Sequence, residues 1–285
     1  MAKAEYFLLN WLNNQRPYGR IDPRLEVRDF VLPAVSTYRD ALPRGSSPSR
    51  TLSDLFWLTL PWPTIGEELG EIRILDVGCG SGSYGPRMIA WAGGRIAVYA
   101  GADARPHAEW PALETRDRRL RFHVARAEHF ADSIPRGTNM FISQSAVEHF
   151  DDDLGFFEQI RDYQRAVQGP VLQVHLVPSQ ACLRLYHLHG VRQYTPRTLS
   201  HITRLFGNDT YAVLHRLGGS ACNTLHFTSI TKPQLFQGGR DLRGETPIEY
   251  DRQLFDAIAS DMRQPQRSPA FYALVIHSRW NKRIF

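Results

Sequence analysis

At 285 residues, the chain is long enough to bury one large core, which excludes a small disulfide-stapled fold. Hydrophobic residues make up 42% and charged residues 22%, and no run reaches the roughly 18 apolar residues of a membrane-spanning helix, so we expect a soluble globular protein. The formal net charge of +5 does not indicate a nucleic-acid binder, because the arginines that dominate it are spread along the chain and form no basic stripe.

The first 15 residues predict neither a secretory signal, because their apolar run is too short, nor a transit peptide, because the acidic Glu5 lies among them. We therefore expect a cytoplasmic protein. The three cysteines, Cys79, Cys182 and Cys222, are widely spaced and odd in number. This usage is typical of reduced thiols and indicates neither a disulfide framework nor a paired-cysteine metal site.

Residues 1–69 predict an irregular, partly helical extension that several prolines interrupt. Within it, TLSDLFWLTLPWP predicts a short helix capped by Thr51 or Ser53. Its aromatic residues leave two interpretations open. The segment is either a lid or substrate cap, in which Phe56, Trp57 and Trp62 exclude water, or a helix that packs into the core.

From residue 70 to 285, short apolar runs alternate with helical segments. IRILDV, RIAVYAGAD, LRFHVARA, TNMFISQS and GPVLQVHLVP predict strands, whereas SYGPRMIAWAG and DDLGFFEQIRDYQRAV predict helices. Such alternation is typical of an α/β domain whose parallel sheet is covered on both faces. The region therefore predicts a Rossmann-like, doubly wound sheet.

Beyond Pro178 the alternation loosens, which indicates insertions after the fifth strand. TPRTLSHITRLFG predicts a helix with Thr195 as its cap, Pro196 in its first turn and Gly207 as its stop. TYAVLHRLGG and FYALVIHSRW predict two late strands that could complete the sheet. No element is assigned to the glycine-, proline- and arginine-rich stretch between them.

Glycines are unusually dense in ILDVGCGSGSYG, directly after the first predicted strand of the domain. Gly78, Gly80 and Gly82 give a turn that admits positive φ and lets the backbone approach a nucleotide-like ligand at the strand's carboxyl end. GSGSYG also matches the dinucleotide pattern G-x-G-x-x-G. However, its first glycine lies four residues past Asp76, too late for a turn placed directly after the strand.

The string LDVGCGSG resembles motif I of the class I S-adenosylmethionine-dependent methyltransferases. The resemblance continues through AGAD, which ends in Asp103, and through ISQSAVEHFDDD, and more loosely to the C-terminus. It implies a seven-stranded, mostly parallel sheet with an antiparallel late strand, and S-adenosylmethionine as cofactor. The positions that it implies for cofactor binding are Asp76, Gly78, Cys79, Gly80, Gly82, Tyr84, Asp103, Ala127, Glu128 and Ser143.

Two of these positions have a chemical rationale of their own. A carboxylate at Asp103 can accept hydrogen bonds from both hydroxyls of a ribose. The family often has an acid before the residue at Ala127, to bind the adenine amine, whereas this chain has Arg126, which cannot accept that bond. Either Glu128 or the Ala127 backbone then makes the contact, or Glu128 is a solvated surface acid.

Methyl transfer requires alignment of the acceptor and, for a hydroxyl, a nearby base. Glu148 and His149 follow the fourth strand of the domain, so the resemblance implies a role for them as base or substrate contact; alternatively, His149 packs under the next helix. No metal is expected, because Ser145 replaces the first residue of the Glu-x-x-Glu-His pattern that some relatives use. His187 and His189 predict a substrate-pocket or surface role.

The resemblance thus implies methyl transfer from S-adenosylmethionine to a small molecule, foremost a hydroxyl of a sugar or another secondary metabolite. Scattered arginines would suit an anionic substrate. An RNA substrate is disfavoured, because no Asn/Asp-Pro-Pro-Tyr motif follows the fourth strand. Two alternatives stay open: an NAD(P)-dependent oxidoreductase with a Rossmann fold, and a non-catalytic cofactor-binding scaffold.

Overall fold

A computed structural model of the protein describes residues 21–186 and 192–285, together with Glu5, Leu8 and Leu12. Its strands in chain order are β1 (Leu25–Asp29), β2 (Ile72–Val77), β3 (Ile96–Asp103), β4 (Leu120–Val124), β5 (Met140–Gln144), β6 (Val171–Pro178), β7 (Thr210–Leu217) and β8 (Phe271–Ser278). Together they form one sheet in the order β1-β7-β8-β6-β5-β2-β3-β4.

Helices lie on both faces of this sheet. They are α1 (Pro48–Leu58), α2 (Trp62–Leu69), α3 (Tyr84–Trp91), α4 (Trp110–Arg116), α5 (Asp153–Ala166), α6 (Cys182–Leu185), α7 (Pro196–Thr203), α8 (Ser220–His226), α9 (Lys232–Phe236), α10 (Leu242–Glu245) and α11 (Pro247–Met262). Single 3₁₀ turns at Ala127–His129 and Val147–His149 follow β4 and β5. In the part of the chain described, each helix is too short or too polar to cross a membrane.

The sheet confirms the predicted α/β architecture. β2 to β6 are parallel to one another, and β8 runs antiparallel between β6 and β7, which is the antiparallel late strand that the resemblance implies. All seven predicted strands are present. The described sheet has one strand more, β1, which pairs parallel with β7 at the edge.

The extra strand comes from the extension that was expected to be irregular and helical. Its five residues, LEVRD, place Leu25 in the core, whereas Glu26 and Arg28 point outward and form an ion pair with each other. A five-residue edge strand with three charged residues and only two apolar ones is too short to show a clear hydrophobic pattern, so the sequence gives no clear signal for it.

Helix α1 begins earlier than the sequence predicts. Ser47 is its cap, because the Ser47 hydroxyl accepts a hydrogen bond from the backbone N–H of Arg50, and Pro48 occupies the first turn. Thr51 and Ser53 lie inside the helix and are buried, so the prediction that either of them is the cap was wrong.

The core has two parts, one on each face of the sheet. Helices α1, α2, α3 and α11 cover one face together with buried residues of the extension such as Phe30 and Leu42. Helices α5 and α7 cover the other. The Thr195 cap of α7 is confirmed as a capping box with Thr198, but the helix ends at Thr203, before the predicted stop at Gly207. The stretch that had no assignment holds α8 to α11.

Candidate functional site

A cavity of about 480 Å³ lies at the carboxyl ends of β2, β3, β4 and β5. Its lining includes five of the residues that the sequence singles out: Gly78, Asp103, Ala127, Glu128 and His149. They come together because parallel strands end at the same edge of the sheet, and each of these residues lies in or just beyond the end of a strand.

The glycine loop joins β2 to α3 and has positive φ at Gly78 (+80°), Gly80 (+54°) and Gly82 (+77°). A Cβ at Gly78 would lie 2.4 Å from the Cβ of Ala146, and one at Gly82 would lie 2.4 Å from the ring of Phe122. Both glycines are therefore required by packing as well as by φ. A Cβ at Gly80 would meet nothing within 4 Å, so the backbone there faces open space.

Asp103, the last residue of β3, holds this loop. Its Oδ2 accepts a hydrogen bond from the Gly80 N–H at 2.9 Å, and its Oδ1 accepts one from the Arg105 N–H at 3.3 Å. The Nε2 atom of His107 lies 3.8 Å from Oδ1. Each carboxylate oxygen can accept more than one hydrogen bond, so Asp103 retains acceptor capacity where it lines the cavity.

Asp76 lies in β2, beneath the loop, and is almost fully buried. Its Oδ2 accepts a hydrogen bond from the hydroxyl of Tyr99. Its Oδ1 is buried and has no hydrogen-bond partner among the described residues. Burial raises the pKa of Asp76 to about 7; the Tyr99 hydrogen bond opposes this shift and the charge of Asp103 adds to it.

Trp110, at the start of α4, is a site residue that the sequence did not reveal. Its indole N–H donates a hydrogen bond to the carbonyl of Gly80 at 2.9 Å, and its ring stacks on Phe122 with centroids 5.5 Å apart. Together with Asp103, it fixes both backbone groups of Gly80. No local pattern links residue 110 to residue 80, because the contact exists only once β3 and α4 are folded.

Cys79 and Tyr84 do not line the cavity. The thiol of Cys79 is half-buried within the loop, and burial raises its pKa. Tyr84 is buried and donates its hydroxyl hydrogen bond to Asp54 of α1. Burial raises the pKa of Asp54, whereas the Tyr84 hydrogen bond and the nearby guanidinium groups of Arg50 and Arg87 lower it. The loop is thus joined to the extension through Tyr84.

A second contact joins α1 to the same edge of the sheet. The indole N–H of Trp57 donates to Oε1 of Gln144, the last residue of β5, at 2.7 Å. Phe56, Trp57 and Trp62 are all buried in the core on that face. Their burial is what a core-packing helix requires, and a role for residues 1–69 as a lid or cap stays a prediction.

The segment after β4 carries Arg126, Ala127 and Glu128. Ala127 and Glu128 begin a 3₁₀ turn and line the cavity. The Nε atom of Arg126 lies 3.3 Å from Oε2 of Glu128, so the two side chains pair with each other. A carboxylate can accept several hydrogen bonds, so Glu128 retains acceptor capacity beside this pairing.

The residues after β5 separate into buried and accessible ones. Ser143 is fully buried, and its hydroxyl shares a hydrogen bond with Nδ1 of His175 at 2.8 Å, so it does not line the cavity. Glu148 is also fully buried and accepts a hydrogen bond from the hydroxyl of Ser145 at 2.5 Å. His149 lines the cavity with 49% of its side chain exposed, and its Nε2 lies 4.0 Å from Oε1 of Glu148.

His187 and His189 lie outside the described residues. Among the residues that are described, no group of three or more His, Cys, Asp or Glu side chains is arranged to hold a metal ion.

No protein-family model matches the chain, and no curated protein matches its sequence. Among solved structures, the plantazolicin methyltransferase BamL in complex with a triazolic desmethylPZN analog and SAH is similar, with 14% identity over 97% of this chain and 96% of that chain and a TM-score of 0.48. The putative methyltransferase in complex with the Haloferax volcanii Trm112 activator shares 12% identity over 89% and 99% of the two chains, with a TM-score of 0.46. The YcgJ protein from Bacillus subtilis shares 15% identity over 79% and 99%, with a TM-score of 0.42.

Identities and TM-scores this low do not assign an activity. The strand order, the two helical layers and the glycine loop themselves define a Rossmann-like α/β protein with a ligand cavity at the carboxyl edge of its sheet.

Proposed function

We propose that this protein is a methyltransferase that uses S-adenosylmethionine and acts on a small-molecule acceptor, foremost a hydroxyl of a sugar or another secondary metabolite. The observation that carries the proposal is the backbone conformation of Gly80 and its hydrogen bond to Asp103. Its backbone faces open space at positive φ, and its N–H is held by Asp103, which is the acid that the family resemblance assigns to the ribose.

Two features favour this cofactor over a nicotinamide dinucleotide. Gly78 follows the last residue of β2 directly, as in the LDVGCGSG string, whereas the first glycine of GSGSYG comes two residues later. In addition, the antiparallel strand β8 is inserted between β6 and β7. The dinucleotide-binding Rossmann sheet is parallel in the order 3-2-1-4-5-6 and has no such strand.

The residues of the cavity and of the adjoining strand end and glycine loop fit the proposed cofactor. Asp103 would accept the ribose hydroxyls, the open backbone at Gly80 would allow close contact, and Ala127 or Glu128 would contact the adenine. The buried Oδ1 of Asp76 lacks a partner, and an ammonium group such as that of the methionine portion would supply one. When bound, the cofactor supplies a methyl group on a positively charged sulfur, which reacts by in-line displacement.

The chain's own part is to orient the acceptor and to take up its proton. His149 is an accessible titratable group after β5 in the cavity lining, and a histidine is basic enough to accept a proton from a hydroxyl as it reacts. Glu148 is buried behind it and would act on His149 through its charge. Helix α1, anchored at Gln144 and Tyr84, would limit water at this edge.

Isothermal titration tests the choice of cofactor. We expect S-adenosylhomocysteine to bind and NAD(H) not to bind. Asp103→Ala should weaken the binding of S-adenosylhomocysteine by about 1–3 kcal/mol, because charge-assisted hydrogen bonds to the ligand are lost. Asp117→Ala is the matched control, since Asp117 also accepts a backbone N–H, from Arg119 at 2.9 Å, but lies outside the cavity lining.

Tight binding of NAD(H) without S-adenosylhomocysteine would instead support an oxidoreductase. Transfer is tested separately, by incubation with methyl-labelled S-adenosylmethionine and a panel of hydroxylated acceptors. Label in an acceptor supports the proposed activity. Cofactor binding with no labelled product across the panel would favour the non-catalytic scaffold.

A further inference from the structure

A second cavity, of about 450 Å³, lies at the same edge of the sheet but beside other strands. Its walls come from the ends of β6, β7 and β8, from β1 and from the start of α7. Its lining shares no residue with that of the first cavity. It is therefore a separate space, which the proposed cofactor site does not use.

Two residues of its lining carry a buried amide oxygen that lacks a hydrogen-bond partner among the described residues. The side chain of Gln266 is almost fully buried, and its Nε2 donates to the carbonyl of Phe30 at 2.6 Å. Asn223 likewise donates from Nδ2 to the carbonyl of Ser268 at 2.8 Å. These carbonyl partners fix the orientation of both amides, because only the NH₂ group can donate to them. The atoms left unpaired, Oε1 and Oδ1, are thus hydrogen-bond acceptors.

Unpaired buried acceptors are unfavourable unless a donor reaches them. Because both residues line the same cavity, one bound molecule with hydroxyl or amino groups would lie beside both amides. The hydroxyl-bearing residues Ser179 and Tyr272 add to the polar character of the lining. This cavity therefore differs from an apolar pocket, which would favour a hydrocarbon ligand.

The lining also carries positive charge. The Nε of Arg216 lies 2.7 Å from Oδ1 of Asp29, so that guanidinium is already paired. Arg184, in contrast, is exposed and forms no ion pair with any described residue. An arginine in this state favours a carboxylate or a phosphate, which it can bind through two parallel hydrogen bonds.

We propose that the second cavity is a binding site for a small anionic molecule that also carries hydroxyl or amino groups. Gln266 and Asn223 accept hydrogen bonds from those groups, and Arg184 binds the carboxylate or phosphate. The site does not depend on the proposed methyltransferase function, because none of its residues belongs to the cofactor cavity.

Ligand-observed NMR and isothermal titration on the full chain test the site with defined probes. Gluconate and glucose 6-phosphate supply hydroxyls with an anion, glutamate supplies an ammonium with an anion, and glucose is the neutral control. We expect at least one anionic probe to bind at least tenfold more tightly than glucose. The anionic probe that binds identifies whether the site prefers hydroxyl or ammonium donors.

Arg184→Gln should weaken the binding of that probe about tenfold, which corresponds to about 1.4 kcal/mol. Arg118→Gln, another exposed arginine, is the matched control and should change nothing. Gln266→Met, which keeps the side-chain length without the amide, should also weaken the probe about tenfold. Both variants should bind S-adenosylhomocysteine as the wild type does, which shows that they are folded even if the probe is lost.

The proposal is overturned if no probe binds at millimolar concentration, or if the Arg184→Gln and Arg118→Gln variants bind the probe equally well. It is also overturned if Asp103→Ala abolishes probe binding as strongly as Arg184→Gln does, because the probe would then occupy the first cavity. Absence of S-adenosylhomocysteine binding, by contrast, contradicts the proposed function and leaves the probe measurements unaffected; folding is then checked by thermal unfolding.

Discussion

Burial of the Asp76 carboxyl predicts how the free energy of unfolding changes with pH. Burial raises its pKa to about 7 in the folded protein, from an ordinary value of 3.8. The folded chain therefore holds a proton that the unfolded chain releases between about pH 4 and about pH 7. Because the unfolded state binds fewer protons in this range, the free energy of unfolding must fall as the pH rises through it. A shift of about 3 pKa units corresponds to about 4 kcal/mol.

Replacement of Asp76 by Asn removes this titration. The amide oxygen can still accept the hydrogen bond from Tyr99, so the local structure should persist. We expect Asp76→Asn to be more stable than the wild type at about pH 8, by up to about 4 kcal/mol, and similar to it at about pH 4. Tyr99→Phe, which removes the hydrogen bond that lowers the pKa, should move the wild-type transition to higher pH.

Urea unfolding of the three proteins across this pH range measures the effect. Comparison of variant with wild type cancels the other titrating groups, which both proteins share. If the stability curves of wild type and Asp76→Asn run parallel from about pH 4 to about pH 8, then Asp76 does not titrate there and the account of its burial is wrong. A second test follows from the proposed function: saturating S-adenosylhomocysteine should flatten the wild-type curve, because a nearby ammonium lowers the pKa of the carboxyl.

Three further predictions concern the loop, the base and a helix cap. Gly80→Ala and Gly94→Ala both place a Cβ in open space at positive φ, so each should destabilise the fold by about 1 kcal/mol. Only Gly80→Ala should weaken the binding of S-adenosylhomocysteine in isothermal titration. Equal affinities of the two variants would mean that the ligand does not approach Gly80. His149→Gln should lower the rate of methyl transfer to a hydroxyl acceptor by about 10²- to 10⁴-fold with unchanged cofactor affinity, and an unchanged rate would assign His149 a packing role. Thr195→Ala should lower the free energy of unfolding by about 0.5–2 kcal/mol in urea unfolding, whereas no loss would show that the capping box of α7 is dispensable.

Much of the fold follows from local patterns in the sequence. Each strand from β2 to β8 coincides with a segment predicted as a strand, and β2, β5, β6 and β8 are largely apolar because interior strands are buried on both faces. The glycine loop and Asp103 are also evident locally, since a tight turn after a strand requires glycine and a strand end places its last side chain at the sheet edge. The grouping of Gly78, Asp103, Ala127 and His149 at one cavity then follows from parallel strand topology.

Other features depend on contacts between residues far apart in the sequence. β1 could be recognised only once it paired with β7, because its own five residues carry too few apolar positions to indicate a strand. Residues from the extension and from α4 reach the glycine loop through Asp54 and Trp110, and neither contact has a signature in the local sequence. Ser143 shows the reverse case: the resemblance implied a cofactor contact, and the register of β5 turns its side chain toward His175.

The sequence by itself determined the order of strands β2 to β8, the glycine-rich backbone after Asp76 and the acid at the end of β3, because each depends on neighbouring residues alone. The tertiary structure decided what surrounds them: which side of the edge each side chain faces, the pKa of Asp76, and the second cavity with its unpaired amide oxygens. These properties arise from burial and from contacts across the fold, and burial is a property of the assembled chain that no short stretch of sequence contains.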